Sequence, residues 1–334
     1  MIPTEADVVW LTAPGRIEIW REALPAPGPG DLLCETLISA ISPGTELAAY
    51  AGLQPLRPSV GFPRLQGYCN VARVIAGEAA GFAPGDRVLS FASHRSHFVL
   101  PANEVLLKLS PEADADRIAC TYLCHLGYNA VLRSGVRAGS RVLVIGLGVL
   151  GLTSVALASA AGAEVFALSD QARPGEIARA AGARGVFRRQ DEAALGDTLG
   201  AGLADVVITT VNGWSDWQAA LRLAGQNAVI AVLGFPGRGE PPPAINPFDS
   251  QYFYMKQLRI EAVGWSPESN DSRSFLRFNE RDNIAWLAQR ITDGRLDPSP
   301  LISGSYRGTD IDQAYQDLIA RKNLALTYLL RWAD

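Results

Sequence analysis

The stretch "VLVIGLGVLGLTSVALASAAGA", residues 142–163, constrains this chain more than any other: it carries no charge, yet glycines interrupt it at 146, 148 and 151. An uncharged run of this length is long enough to span a bilayer. The glycines argue instead for a buried strand, a tight turn and a buried helix. A G-x-G-x-x-G that closes an apolar β run and opens a helix is a dinucleotide fingerprint; without that context it is a weak signal. In that setting Gly146 makes the turn, Gly148 lets the backbone approach a pyrophosphate, and Gly151 lets the helix pack on the strand. The phosphates then sit at the helix N-terminus, where amide N–H groups and the macrodipole point. The predicted nicotinamide-cofactor residues in this turn are Gly146, Leu147, Gly148, Val149, Leu150 and Gly151. The competing reading is a Gly-rich packing turn.

The rest of the chain supplies the context. Residues 7–101 read as short extended segments ("DVVWL", "IEIW", "CNVARVIAG", "DRVLSF", "HFVLP") separated by Pro and Gly turns such as "LPAPGPGDLL". After about residue 115 the rhythm changes. "DADRIACTYLCHLGYNAVLRSG" is helical in spacing, and strands and helices then alternate as far as "LRIEAVG". Alternation of that kind predicts a parallel sheet covered on both faces. Two amphipathic helices, "NIAWLAQRITDG" and "DIDQAYQDLIARK", and a strand, "LALTYLLRW", follow. The expected fold class is therefore α/β. A doubly wound parallel-sheet domain over 124–263 is inserted into a β-rich domain made of 1–123 and 264–334.

The strand after the fingerprint, "AEVFALSD", should end near the adenosine ribose. An acid there accepts from the 2′-OH and selects NAD, whereas a small residue with an Arg nearby takes the 2′-phosphate of NADP. Ser169, Asp170 and Arg173 offer both solutions; NAD(H) is favoured over NADP(H) on Asp170, with Arg173 as an ordinary solvated charge the alternative. The loops after later strands add Asn212, with Gly213 beside it, and Gly234 and Phe235, because ligands bind beyond the carboxyl ends of such strands.

Composition narrows the partners. With 48% hydrophobic and 19% charged residues and a net charge of −4, a sizeable core is expected and neither nucleic acid nor a membrane surface is. The N-terminal "MIPTEADVVWL" has no basic n-region, so it does not read as a signal peptide, and a cytoplasmic location is expected. Four scattered cysteines, Cys34, Cys69, Cys120 and Cys124, do not read as a disulfide framework. Cys120, Cys124 and His125 form a C-x3-C-H cluster with no second pair of ligands, which reads as a buried apolar segment rather than a metal site.

The whole chain resembles the medium-chain dehydrogenase/reductase superfamily, whose members include zinc alcohol and polyol dehydrogenases. The resemblance rests on "LPAPGPGDLL", "SPGTELAAYAG", "GFAPGDRVLSF", "GYNAVLRSGVRAGSRVLVIGLGVLG", the "AAGA" at 160–163 and "GRLDPSPLI … AYQDLIARKNLALTYLL". It implies a GroES-like catalytic domain beside the Rossmann domain, and a homodimer pairing edge strands near "LRIEAVGW". "ISPGTE" is similar to a zinc-free branch that includes the dehydrogenase of the bacteriochlorophyllide hydroxyethyl group. The departures concern the metal. Where the family's zinc enzymes have Cys and His in the first loop, this chain has Pro43 and Ala48. Gly67-Tyr68-Cys69 stands for Gly-His-Glu, and the third ligand position falls near Tyr122. Proline and tyrosine do not build a tetrahedral zinc site, and "FASHRSHFVL" lacks the cysteines of a structural zinc lobe, so no zinc is expected.

Without a metal, hydrogen-bond donors must polarise a carbonyl or handle its proton. By the same resemblance Thr45 is the relay hydroxyl, and Glu46 is the acid that lies behind the metal and could orient Tyr68. Tyr68, in place of a ligand, points into the cleft as donor or general acid. The bland alternatives are a loop backbone satisfied by Thr45 and Glu46, and Tyr68 as a space-filler. His125 and His97 are further candidate cleft residues, although a lone histidine is more often structural. Trp214, Trp217, Phe253 and Trp265 hint at a bulky apolar substrate, or at core packing. The function expected is a zinc-independent NAD(P)-dependent alcohol/ketone oxidoreductase acting on a small molecule. The alternatives are reduction of a polarised C=C or C=N bond, and a cofactor-binding sensor without catalysis.

Overall fold

The computed structural model describes residues 2–56, 61–266, 279–321 and 324–333. Lys322 and Asn323, inside the terminal matching segment, lie outside these. In chain order the regular elements begin β1 (Glu5–Ala13), β2 (Arg16–Ala23), β3 (Asp31–Ala40), α1 (Pro43–Tyr50) and β4 (Arg64–Leu65). Next come β5 (Asn70–Gly77), β6 (Arg87–Ser90), β7 (His97–Pro101), β8 (Leu107–Lys108), α2 (Ala115–Ala119) and α3 (Thr121–Ser134). An alternating stretch follows: β9 (Arg141–Ile145), α4 (Val149–Ala160), β10 (Glu164–Leu168), α5 (Ala172–Ala180), β11 (Gly185–Phe187), α6 (Glu192–Leu199), β12 (Ala204–Thr209), α7 (Trp214–Leu223), β13 (Ala224–Val232) and β14 (Arg259–Ala262). The chain closes with α8 (Glu280–Thr292), β15 (Ile302–Arg307), α9 (Ile311–Ile319) and β16 (Thr327–Arg331).

Two compact units result: 1–122 with 281–334, and 123–280. The return to the first unit falls at 281, where the sequence reading set it at 264. Hydrogen bonds hold the first part of that stretch, up to Ser266, in the second unit. Val263 and Ser266 both bond to Asn129, and Ser266 also meets His125, which ties the segment after β14 to α3.

In the first unit, β1 and β2 form an antiparallel hairpin that β4 extends. A seven-stranded sheet runs β15-β16-β3-β5-β6-β8, with β7 on β3. Its core includes Leu32, Cys34, Val74, Val88 and Phe98. A separate cluster joins β1, α1, α9 and β16 through Val9, Tyr50, Ile311, Tyr315 and Leu330.

In the second unit all six strands are parallel, in the order β11-β10-β9-β12-β13-β14. Counted from β9 this is 3-2-1-4-5-6, the doubly wound order, whose switch point lies between β9 and β12. The strands are apolar because both faces are covered: every residue of β9 except Arg141 is buried. Leu143, Ile145, Val207, Trp217 and Ile230 share one core cluster, so core packing accounts for Trp217. Trp214 and Phe253 pack against that cluster partly buried, and Trp265 is exposed.

One local expectation is corrected. The resemblance makes "SPGTELAAYAG" the family's first loop; residues Pro43–Tyr50 are nevertheless a helix, α1. Pro43 sits in the first turn, where its missing N–H costs nothing. The Glu46 carboxylate reaches back to the Ser42 amide at 2.6 Å, half of a capping box set one residue later than usual.

Candidate functional site

The first unit carries a buried polar cluster built around Glu46, which is 2% exposed. Its position on α1 sends its side chain back over the helix start. Oε1 accepts the Ser42 amide. Oε2 accepts the Tyr315 hydroxyl of α9 at 2.5 Å and meets His94 Nε2 at 2.9 Å. A carboxylate with three donors needs no further partner to be satisfied inside a core. Burial, then the Glu46 charge, hold the Tyr315 phenol well above its ordinary range, so it stays a donor. His94 Nδ1 lies 2.8 Å from Ser39 Oγ, which also accepts the indole N–H of Trp332 at 3.0 Å. Gly67 explains how the imidazole fits: its φ is +86°, and a Cβ there would lie 2.6 Å from the His94 ring.

Glu46 does not orient Tyr68 directly, as had been expected. The Tyr68 hydroxyl donates to Ser42 Oγ and is also hydrogen-bonded to the Thr45 side chain. Burial raises the Tyr68 phenol above its usual range, and the two hydroxyl partners pull part of that shift back. Ser42, which the sequence reading passed over, is thus the joint: its amide belongs to Glu46 and its hydroxyl to Tyr68. The Tyr68 ring packs edge-on against Tyr122 at 5.3 Å, and Tyr122 against Phe91 at 5.0 Å. The two tyrosines expected at metal-ligand positions are therefore neighbours.

This donor set does not fit zinc. Pro43 and Ala48 supply no ligand atom, and Tyr68 engages two hydroxyls. Among the described residues, no group of three or more His, Cys, Asp and Glu is placed to hold a metal ion. His94 and Glu46 make only a pair.

The other histidines stand elsewhere. His97 lies on β7, its Nδ1 3.1 Å from Ser96 Oγ, and burial lowers its imidazole. His125 belongs to the second unit and is fully buried on α3. Its Nε2 is 3.0 Å from Ser266 Oγ, which donates to Asn129 Oδ1. Because Ser266 spends its proton on Asn129, His125 Nε2 is the donor in that pair. Burial pushes the imidazole down to about 4, so it is neutral near pH 7. This is the environment of a fastening group rather than of a general acid. All four cysteines are buried, and none forms a disulfide.

At the switch point of the second unit the three glycines behave differently. Gly146 has φ +89°, and a Cβ there would meet Val211 at 2.4 Å. A Cβ on Gly151 would fall 1.9 Å from the Gly146 carbonyl, which is why helix and strand can pack this closely. Gly148 is exposed, and a Cβ there would have nothing within 4 Å. It is the N-cap of α4 and brings no side-chain cap, so no side chain of its own takes the first-turn amides. Leu147 and Val149 are buried beside it and Leu150 half-buried. Thr210 Oγ1 closes the turn by donating to the carbonyls of Ile145 and Gly146. The open position at Gly148, over unclaimed helix-start amides, fits a dinucleotide pyrophosphate.

Beyond β10, Ser169 is buried and Asp170 exposed. Asp170 accepts the Arg189 amide at 2.9 Å and its guanidinium at 2.6 Å, and Arg189 also grips Asp216 through two bonds. Arg189, just past β11, was not singled out from sequence. Arg173 is half-buried on α5. After β12 and β13, Asn212 Oδ1 accepts the Phe235 amide at 2.9 Å, joining the two loops. A Cβ on Gly234 would strike the Val211 carbonyl at 2.4 Å, and the Arg238 guanidinium stacks 3.6 Å over the Phe235 ring.

Residues 149–281 match the family described as zinc-binding dehydrogenase. The chain is 39% identical over 85 residues to 2-desacetyl-2-hydroxyethyl bacteriochlorophyllide A dehydrogenase of Rhodobacter capsulatus, covering 25% of this chain and 27% of that one. It is 33% identical over 137 residues to NADP-dependent alcohol dehydrogenase C 1 of Mycolicibacterium smegmatis, covering 41% and 38%. The matched stretches thus span well under two thirds of these relatives. Among solved structures, 2R,3R-butanediol dehydrogenase of Bacillus subtilis superposes with a TM-score of 0.80 at 16% identity, over 98% of this chain and 99% of that one. At that identity the likeness speaks for the fold alone. No helix among the described residues is long and apolar enough to cross a membrane.

Proposed function

We propose that this chain, which belongs to the medium-chain dehydrogenase/reductase superfamily, is a zinc-independent, nicotinamide-dependent oxidoreductase interconverting an alcohol and a ketone. The observation that carries the proposal is the Tyr68 phenol, held between the Ser42 and Thr45 hydroxyls, at the position where the family resemblance puts a metal ligand in zinc enzymes.

A bound nicotinamide supplies or accepts the hydride. Gly146 to Gly151 would cradle its pyrophosphate, and Asn212, Gly234 and Phe235 would border the nicotinamide end. The chain's own residues handle the proton. In the reducing direction the Tyr68 hydroxyl donates its proton to the oxygen that becomes the alcohol. Ser42 and Thr45 then turn their O–H bonds toward the phenolate, so the charge never stands unsolvated. In oxidation the same steps run backwards. Thr45 and Tyr68 touch the reacting oxygen or its proton donor, and Glu46 acts through Ser42. His125 acts in this scheme as a fastening residue of the second unit.

The reading of Asp170 favours NAD(H). Asp170 and Asp216 hold the Arg189 guanidinium from both sides, so it is engaged rather than open to a 2′-phosphate, while Asp170 keeps carboxylate lone pairs for a 2′-OH; Arg188 adds a second positive charge near Asp170. A homodimer pairing the β14 edges, in the cytoplasm, completes the proposal; β14 does end its sheet.

The test follows reduced-cofactor absorbance with panels of ketones, enones and cyclic imines, alongside metal analysis of the same protein. Ketone turnover without stoichiometric zinc is expected. Activity confined to enones or imines would move the assignment to C=C or C=N reduction, and no turnover in any panel would favour a sensor. Tyr68→Phe should lower kcat at least a hundredfold and leave cofactor affinity within twofold; unchanged kcat removes Tyr68 from the chemistry. Binding of NADH at least tenfold tighter than NADPH is expected, and the reverse order would overturn the role given to Asp170.

A further inference from the structure

We infer that His94 is the positioning residue of the proton-donating group: through Glu46 and the Ser42 amide it sets the hydroxyl with which Tyr68 is paired. This rests on the reading of Tyr68 as the proton donor. Every link is within the first unit. His94 is wholly buried and so is Ser39. The imidazole is clamped from one side by Ser39 Oγ at 2.8 Å and seated against Gly67, which leaves its Nε2 aimed at Glu46 Oε2 at 2.9 Å.

The physical argument concerns how a buried carboxylate picks one rotamer. Glu46 has two oxygens. Oε2 is fixed by two donors from distant elements, His94 before β7 and Tyr315 on α9. With Oε2 fixed, Oε1 has one place to be, 2.6 Å from the Ser42 N–H. That bond sets the entry of the chain into α1. The Ser42 hydroxyl, on the same residue, then lies where Tyr68 donates to it. Without His94, Oε2 retains only the phenol, and the carboxylate can swing about that single bond. A buried network of this kind is worth more than its separate bonds, because each member orients the next. The preceding tyrosine-bearing segment shares the constraint: Gly67, which accommodates the His94 ring, immediately precedes Tyr68.

The test compares His94→Ala and His94→Gln in the full-length protein. The amide of glutamine can still donate toward Glu46; alanine cannot. The first readout is hydrogen exchange of the Ser42 amide by NMR, which needs no substrate. His94→Ala should speed Ser42 exchange at least tenfold while the amides of Val71 and Ala72 on β5 stay within twofold, and His94→Gln should recover most of the protection. The second readout is turnover of cyclohexanone or acetophenone with NADH: kcat should fall at least tenfold in His94→Ala with KM within threefold, and His94→Gln should regain part of it. Unchanged Ser42 exchange in His94→Ala overturns the inference, and so does exchange rising equally at Val71 and Ala72. If the wild type turns over no ketone of the panel while Ser42 exchange behaves as expected, the positioning stands and the alcohol/ketone reading fails.

Discussion

Replacing Tyr315 with Phe removes one oxygen from the centre of the first unit and little else. Tyr315 is completely buried, and its ring stays packed edge-on against Tyr50 at 5.4 Å. What is lost is the hydrogen bond from its hydroxyl to Glu46 Oε2, together with a long 3.5 Å contact to Gln66 Oε1. No donor is orphaned, because the donor is deleted; the carboxylate keeps His94 and the Ser42 amide. A hydrogen bond to a charged group contributes about 1.5–3 kcal/mol. For a unit of this size each kcal/mol moves the midpoint by about 2–4 °C, so Tyr315→Phe should lower the first unit's Tm by about 3–12 °C. Tyr50→Phe is the internal control. Its hydroxyl bonds Asp312 and Gln316, but Asp312 is exposed. Water replaces the phenol there, and the cost should be at most about 1 kcal/mol. Thermal melts followed by near-UV circular dichroism measure both. A Tyr315→Phe shift no larger than that of Tyr50→Phe would show that Glu46 does not depend on this donor.

Three further outcomes are expected. Gly148→Ala should leave Tm within 1 °C, because the new methyl meets open space, yet weaken dinucleotide binding at least tenfold in fluorescence titration; Gly151→Ala should lose both stability and binding, since its Cβ would collide with the Gly146 carbonyl. Equal binding by Gly148→Ala and wild type would refute the cradle. His125 titrates near 4 when folded and near 6.5 when unfolded, so the unfolded chain takes up the proton first. Its stabilising contribution is complete above pH 6.5 and lost as pH falls toward 4, about 2 kcal/mol between pH 7 and 5. Urea unfolding of the second unit should therefore be less pH-dependent in His125→Gln by that amount, and identical pH slopes would argue against a neutral buried imidazole. Burial pushes the thiols of Cys34 and Cys124 up to about 12, and Cys69 and Cys120 are also buried. All four should resist a thiol-specific chromogenic reagent at pH 8 until denaturant is added; rapid labelling of any of them in the native protein would contradict the packing described.

The sequence by itself determined the architecture of the second unit. Periodicity carries that information locally: buried parallel strands are continuous apolar runs, and a G-x-G-x-x-G between such a run and a helix admits one turn. The same is true of the missing metal ligands, since Pro43 and Ala48 lack donor atoms whatever their surroundings. What only the tertiary structure decided is who partners whom. The resemblance made Glu46 legible as an acid behind a metal position, but two of its three donors come from residues 94 and 315, and no spacing rule links positions so far apart. His94 lies in "FASHRSHFVL", three residues before His97, and nothing in that spacing separates the histidine that meets Glu46 from the one that does not. Arg189 was a surface arginine until the sheet brought it between Asp170 and Asp216. The helix at 43–50 was hidden for a related reason. Glu46, Leu47, Ala48 and Ala49 favour a helix once it has begun, but Gly44 and Thr45 do not, and a buried carboxylate held from α9 and from the segment before β7 satisfies the amide just ahead of it.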